Sequence, residues 1–149
     1  MKNYERLKGL IAAVFTPMHE DGNLHLEMID RYADYIAASG IPGVFVCGTT
    51  GESLSLTVAE RKAVLEKWIV SAKGRFKVIA HVGCNSQLDA MDLAEHAMRS
   101  GANAISAMAP NFFKPVTVGD LVDFFVPIAH CASDLPFYYY KMPSMTGVL

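Results

Sequence analysis

Short apolar runs alternate with helix-period segments along the whole chain, and that alternation leaves few folds open. Residues 9–15 (GLIAAVF) form a continuous apolar run, the mark of a strand buried on both faces, and Thr16-Pro17 stops it. Asp21-Gly22-Asn23 predicts a turn, after which Leu26, Ile29, Tyr32, Ala33 and Ile36 recur at helical spacing up to Gly40, placed to close that helix. A second strand is predicted over 44–47 and a second helix from Thr57, with Glu60 three residues on as a capping box, to Gly74. The pattern repeats with a strand over 77–82, a helix from Ser86 through Met91, Ala94 and Met98 to Gly101, and a strand over 104–108. Thr117 with Asp120 opens a fourth helix carrying Leu121, Phe124, Phe125 and Ile128, and a fifth strand spans 137–140.

This β-α-β-α-β-α-β-α-β order, with short connections, predicts an α/β fold with a parallel sheet covered by helices. Such a sheet either closes as a (β/α)₈ TIM barrel or stays open and doubly wound. No Gly-x-Gly-x-x-Gly follows the first strand, and the βα units are of similar length; both points favour the barrel. A barrel takes eight strands and typically about 250 residues, whereas this chain has 149 residues and five predicted strands. Residues 1–149 therefore read as the N-terminal part of a single (β/α)₈ barrel domain, cut after its fifth strand and fourth helix, or else as an open sheet.

The formal net charge of −2, without basic blocks, points away from nucleic acid and from anionic membrane surfaces as partners. No apolar run is long enough to span a bilayer, and residues 1–6 (MKNYER) do not read as a signal peptide. Three unclustered cysteines, Cys47, Cys84 and Cys131, indicate neither a disulfide framework nor a zinc site, and a reducing cytoplasm suits them.

Gly48-Thr49-Thr50-Gly51-Glu52-Ser53 (GTTGES) lies between the second strand and its helix. Glycines let backbone approach a ligand closely, and the N–H groups and hydroxyls of such a turn suit an anion or carboxylate. Many βα connections need glycine for backbone reasons alone, so the turn is not diagnostic by itself. In a barrel the strand ends share one working face. They are Thr16-Pro17, Thr49-Thr50, Gly83, Pro110 to Phe113, and Tyr140. Thr49 and Thr50 are placed to hold a small carboxylate, and Tyr140 to relay a proton if its hydroxyl is held in a hydrogen-bond chain. Glu52 is expected to satisfy backbone donors near the helix start, His81 to be a hydrogen-bonded core histidine, and Cys84 to be an inert thiol without a partner. Tyr138, Tyr139, Phe112 and Phe113 read as packing or intersubunit aromatics.

GTTGES after the second strand, paired with Pro136 to Gly147 (PFYYYKMPSMTG) after the fifth, resembles the pyruvate-dependent class I aldolase family, which contains sialic acid lyases and dihydrodipicolinate synthases. The similarity runs from Leu10 to Val148. It implies a (β/α)₈ barrel in which Thr49 and Thr50 bind the pyruvate carboxylate, Tyr140 relays protons, and a lysine on the sixth strand forms the Schiff base. It implies no cofactor and no metal, a cytoplasmic carbohydrate-catabolic lyase, and a homotetramer at full length. Synthases carry an arginine two residues after the proline that closes the tyrosine motif, and a tyrosine in the loop after the fourth strand. Here those positions are Met145 and Phe112, and neither side chain hydrogen-bonds a second carboxylate. The tyrosine run and the Ser144 to Gly147 segment are similar to the sialic acid lyases, which cleave N-acetylneuraminate to N-acetylmannosamine and pyruvate. Lys114 and Lys141 are not positioned in the family's pattern to replace the Schiff-base lysine, so the 149-residue chain alone is expected to be inactive. The alternatives are a synthase or other 2-keto-acid aldolase of the same family, or a non-catalytic half-barrel that self-associates.

Overall fold

A computed structural model describes Tyr4 and residues 6–148. Most of the segment read above as lacking a leader signal, together with Leu149, lies outside the described residues. Five strands, β1 (Ile11–Ala13), β2 (Gly43–Val46), β3 (Lys77–His81), β4 (Ala104–Ala107) and β5 (Phe137–Tyr139), form one sheet in sequence order. Every neighbouring pair is parallel. Helices α1 (Met28–Ala38), α2 (Val58–Ala72), α3 (Gln87–Ser100) and α4 (Val118–Cys131) follow the first four strands in turn. A short 3₁₀ turn (Ser53–Ser55) precedes α2, and a one-turn helix α5 (Pro143–Thr146) follows β5.

The predicted helix signals act as expected. Thr57 Oγ1 accepts from the Glu60 backbone N–H while the Glu60 carboxylate accepts from the Thr57 N–H, and Thr117 with Asp120 does the same for α4. Ser86 caps α3 through the Asp89 N–H, and Gly101 ends it in the left-handed conformation. Helix α4 contains Pro127, which cannot donate to the Asp123 carbonyl. Gln87 on α3 supplies a substitute: its Nε2 donates to Phe124 O at 2.9 Å and Asp123 O at 3.4 Å.

Alternate residues of each strand divide the molecule into two layers. Val44 and Val46, Val78 and Ala80, and Ile105 and Ala107 pack outward against the helices, where Trp68 is fully buried between Tyr32 and Phe76. Asp30 of α1 ties that seam to α2, accepting from Lys67 Nζ and Ser71 Oγ, each at 2.6 Å. The other strand face carries Phe45, Ile79, His81, Ser106, Tyr138 and Tyr140, and cross-strand register sets His81 beside Ser106 and Ser106 beside Tyr138.

The first apolar run departs from expectation. Only Ile11–Ala13 is strand, and Leu10 and Phe15 are 79% and 49% exposed. Strand β1 is an edge of this sheet, so its outer flank gains no cover from a neighbouring strand; Phe15 instead stacks on Tyr32, centroids 4.5 Å apart.

Candidate functional site at the strand ends

The glycine turn is built by local strain and by four hydrogen bonds, two within it and one each to the end of β1 and to α2. Cys47 and Glu52 take left-handed conformations (φ 55° each), an uncommon choice for residues with side chains. Gly51 is required by close approach, since a Cβ there would lie 3.1 Å from both Cys47 Cα and Val14 O. Within the turn the Glu52 and Ser53 N–H groups donate to Thr49 O and Gly48 O. From the end of β1, Thr16 Oγ1 donates to Gly51 O at 2.8 Å. From α2, the Arg61 carbonyl takes a weak 3.9 Å bond from the Cys47 thiol, which burial pushes up to a pKa of about 11.

Thr49 and Thr50 are both exposed on this turn. Thr49 Oγ1 lies 3.4 Å from the Tyr140 hydroxyl, so the ends of β2 and β5 meet across the strand-end face. The Thr50 hydroxyl has no hydrogen-bond partner among the described residues. Tyr140 continues the β4–β5 ladder by donating its N–H to Ala107 O at 2.9 Å, and its ring stands edge-on to Phe45 and His81 (centroids 5.2 and 5.8 Å). The phenol is thus held by two ring walls and one hydroxyl neighbour.

Beneath it, Arg61 reaches from α2 into the ends of β2 and β3. Only 3% exposed, it donates to His81 O (2.8 Å), Gly83 O (3.1 Å) and Cys84 Sγ (2.9 Å), with Nη2 3.5 Å from His81 Nδ1. A guanidinium only donates, so any hydrogen bond between the two has Nδ1 as its acceptor. Burial first, and the Arg61 charge second, lower the His81 pKa from 6.5 to about 3. A neutral imidazole therefore lies beside Tyr140. Its Nε2 has no partner among the described residues, so the reading of His81 as a hydrogen-bonded core residue holds for one ring nitrogen only.

Two sequence expectations need correction. Glu52 caps no backbone donor: its left-handed backbone turns the carboxylate to solvent, and Glu60 caps α2 instead. Cys84 is not without a partner, since Arg61 Nη1 contacts its sulfur; burial nevertheless raises its pKa, which keeps the thiol protonated and unreactive.

A cavity of about 210 Å³ opens beside the turn, lined by Thr49, Glu52, Ser53, Leu54, Asn111 and Met145 among others. Its far wall is fixed by Asn85 Oδ1, which accepts from the Asn111 and Phe112 N–H groups and joins the loops after β3 and β4. Met145 is 61% exposed at the cavity, and Phe112 and Phe113 project 75% and 86% exposed, ring against ring. Lys114 lies against Gly147, and Lys141 is exposed. Sequence reasoning missed Arg61 and Asn85. A single arginine on an amphipathic helix gives no signal of burial, and an asparagine before a helix cap looks like any turn residue.

Residues 6–149 match the model of the dihydrodipicolinate synthetase family. The chain is 47% identical over 146 residues to N-acetylneuraminate lyase B of Xenopus laevis, covering 97% of this chain and 55% of that protein. It is 44% identical to the N-acetylneuraminate lyase of Homo sapiens, covering 97% and 46%. Among solved structures, Proteus mirabilis N-acetylneuraminate lyase superposes with a TM-score of 0.94 at 40% identity, over 97% of this chain and 49% of that one. Dihydrodipicolinate synthase from Aquifex aeolicus superposes with a TM-score of 0.88 at 35% identity, over 95% and 47%. The chain spans about half the length of the curated relatives it matches, and its parallel βα units correspond to half of their TIM barrel. With its strand-end face, its glycine turn and these matches all in the same register, the chain belongs to the dihydrodipicolinate synthetase family.

Proposed function

We propose that these residues are the N-terminal part of a Schiff-base lyase that cleaves N-acetylneuraminate to N-acetylmannosamine and pyruvate. The observation that carries this reading is the 3.4 Å approach of Thr49 Oγ1 to the Tyr140 hydroxyl at the ends of β2 and β5. The relatives named as N-acetylneuraminate lyases, at 44–48% identity over nearly the whole chain, support the choice of substrate. In this proposal the Thr49 and Thr50 hydroxyls and the turn's N–H groups hold the pyruvate carboxylate. The Tyr140 phenol, bonded to Thr49, passes a proton to and from the reacting carbon skeleton. The Tyr140 phenol acts by relay through Thr49, whose hydroxyl is its hydrogen-bond neighbour. The neutral His81 beside it adds no competing charge.

The electron sink is the iminium formed by a lysine amine with the 2-keto group. Lys141 directly follows Tyr140 and is exposed, and Lys114 lies against Gly147. In this proposal the amine is the sixth-strand lysine that the family resemblance implies, and the 149 residues by themselves do not trap pyruvate. Met145 on the cavity wall supports the lyase over the synthase, because a thioether gives a second carboxylate no donor. A cytoplasmic location fits three free cysteines, and among the described residues no helix is long and apolar enough to cross a membrane. Self-association, as a tetramer at full length, is supported by the exposed Phe112–Phe113 pair.

The test is a chimera joining this chain to the C-terminal half of the Proteus mirabilis enzyme. Pyruvate release from N-acetylneuraminate, with a borohydride-trapped pyruvyl adduct on the C-terminal half, is expected. A folded chimera that binds pyruvate yet leaves N-acetylneuraminate intact would overturn the assignment, as would a pyruvyl adduct on Lys114 or Lys141 of the isolated chain.

A further inference from the structure

The connection between β1 and α1 gathers two imidazoles and a carboxylate that the proposed lyase site does not use. An antiparallel bridge, Met18 to Leu24, closes this loop. His19 donates its N–H to Asn23 O (2.8 Å), His25 donates its N–H to Pro17 O (2.9 Å), and Gly22 turns the tip with φ +85°. Asp21 is occupied inside the tip, its carboxylate accepting from Asn23 N and Nδ2 at 3.0 and 2.8 Å. Those bonds hold the His19 and His25 backbones side by side, and their rings stack with centroids 4.0 Å apart and planes 20° from parallel. Glu27 stands next to them at the start of α1, where its side chain caps nothing. One nitrogen of each ring and one Glu27 oxygen lie within 4.8 Å of one another. Among the described residues no other hydrogen bond or ion pair engages these three side chains.

We propose that His19, His25 and Glu27 form a binding site for a divalent transition metal of borderline softness, with zinc as the reference ion. Two imidazoles and one carboxylate suit zinc, cobalt or nickel, whereas calcium and magnesium prefer all-oxygen sets. Bonds of about 2.0–2.2 Å place tetrahedral ligand atoms roughly 3.3 Å apart, so the set must close from its present spacing. The lone pairs of stacked rings lie in near-parallel planes and do not converge; one ring must turn out of the stack. His19 is exposed and unbonded at its side chain, so that rotation breaks no hydrogen bond. The stack is then the metal-free arrangement, and the ion recruits the lone pairs of two neutral imidazoles, with water completing the shell. Binding would pin the loop to the first turn of α1. That loop leaves the strand end where Thr16 holds the Gly51 carbonyl, so the ion braces one anchor of the glycine turn.

The experiment titrates the purified 149-residue chain with zinc chloride by calorimetry and with cobalt chloride by visible absorption, near neutral pH. One ion per chain is expected, with cobalt bands of nitrogen–oxygen ligation. His19→Gln and His25→Gln should each weaken binding at least about tenfold, and Glu27→Gln should weaken it less. His96→Gln, which removes the α3 imidazole paired with Glu66, should leave binding unchanged. Zinc should raise the thermal midpoint of the unmutated chain but not of His19→Gln. Absence of saturable binding, affinity unchanged from the parent in His19→Gln and His25→Gln, or a thiolate-to-cobalt charge-transfer band would each overturn the proposal. The cobalt spectrum needs no variant, so the test stands even if a substitution disturbs the loop.

Discussion

Acid should destabilise this chain through one residue before its carboxylates titrate. His81 is 2% exposed, and burial together with the neighbouring Arg61 charge lowers its pKa from 6.5 to about 3. Between those values the unfolded chain binds a proton that the folded chain refuses, so stability falls as pH falls. The full penalty, at about 1.36 kcal/mol for each pH unit of lowering, is on the order of 5 kcal/mol. Between about pH 7 and about pH 5 the same linkage gives roughly 2 kcal/mol. With a urea m-value of about 2 kcal/mol/M, that moves the unfolding midpoint by roughly 1 M. The carboxylates of Asp21, Asp30, Glu60 and Asp120 are held below their ordinary values by hydrogen bonds, so their stabilisation persists down to about pH 4.5 and is lost only below it. His81→Gln keeps an acceptor for Arg61 and removes the titration. Urea unfolding of both forms at the two pH values, followed by circular dichroism, should show the roughly 2 kcal/mol acid loss in the parent alone. Parallel losses in the two proteins would refute the reasoning and place the acid sensitivity elsewhere.

Other outcomes follow from the same geometry. In the chimera with a relative's C-terminal half, Tyr140→Phe should retain pyruvate binding and lower turnover by roughly 10²-fold or more, read by steady-state kinetics. Thr49→Val with Thr50→Val should weaken pyruvate binding in that chimera while its circular dichroism is unchanged, and undiminished affinity would remove both from the carboxylate site. Gly51→Ala should also weaken pyruvate binding, because its Cβ meets backbone atoms of Cys47 and Val14 at 3.1 Å and displaces the turn. Thr57→Ala removes one half of a capping box and should cost about 1 kcal/mol in urea unfolding.

Much of this architecture was legible because each signal is local. Thr57 with Glu60, Ser86 with Gly101 and Thr117 with Asp120 fix three helices by capping chemistry that neighbours within four residues complete. The parallel sheet followed from the repeated crossover and the strand-end face from the strand boundaries, whereas the sequential strand order is a finding of the structure. Thr49 and Tyr140 were legible as a pair only through motif resemblance, since nothing local says that residues 91 positions apart come within 3.4 Å. What stayed hidden depends on tertiary placement. Nothing in the helix pattern marks Arg61 as buried, yet the ends of β2 and β3 close over it. Glu52 looked like a capping acid until its left-handed backbone turned it away. His19, His25 and Glu27 match no metal spacing because a bridge across the loop, not their separation in sequence, brings them together. The edge position of β1 was equally invisible, since an apolar run reads the same whether one flank or two are covered.

The sheet order β1-β2-β3-β4-β5 has a kinetic consequence. Each strand pairs with the one made just before it, and α1 packs on α2, α2 on α3, and α3 on α4. Among the five described strands none waits for a distant partner within the sheet, so loop closure between them spans one βα unit at a time and its entropic cost stays small. A chain emerging from the ribosome can lay down each unit on a finished neighbour. Growth of this kind has a moving front: at every stage the newest strand presents an open flank, as β5 does here, that accepts the next strand without disturbing those already paired.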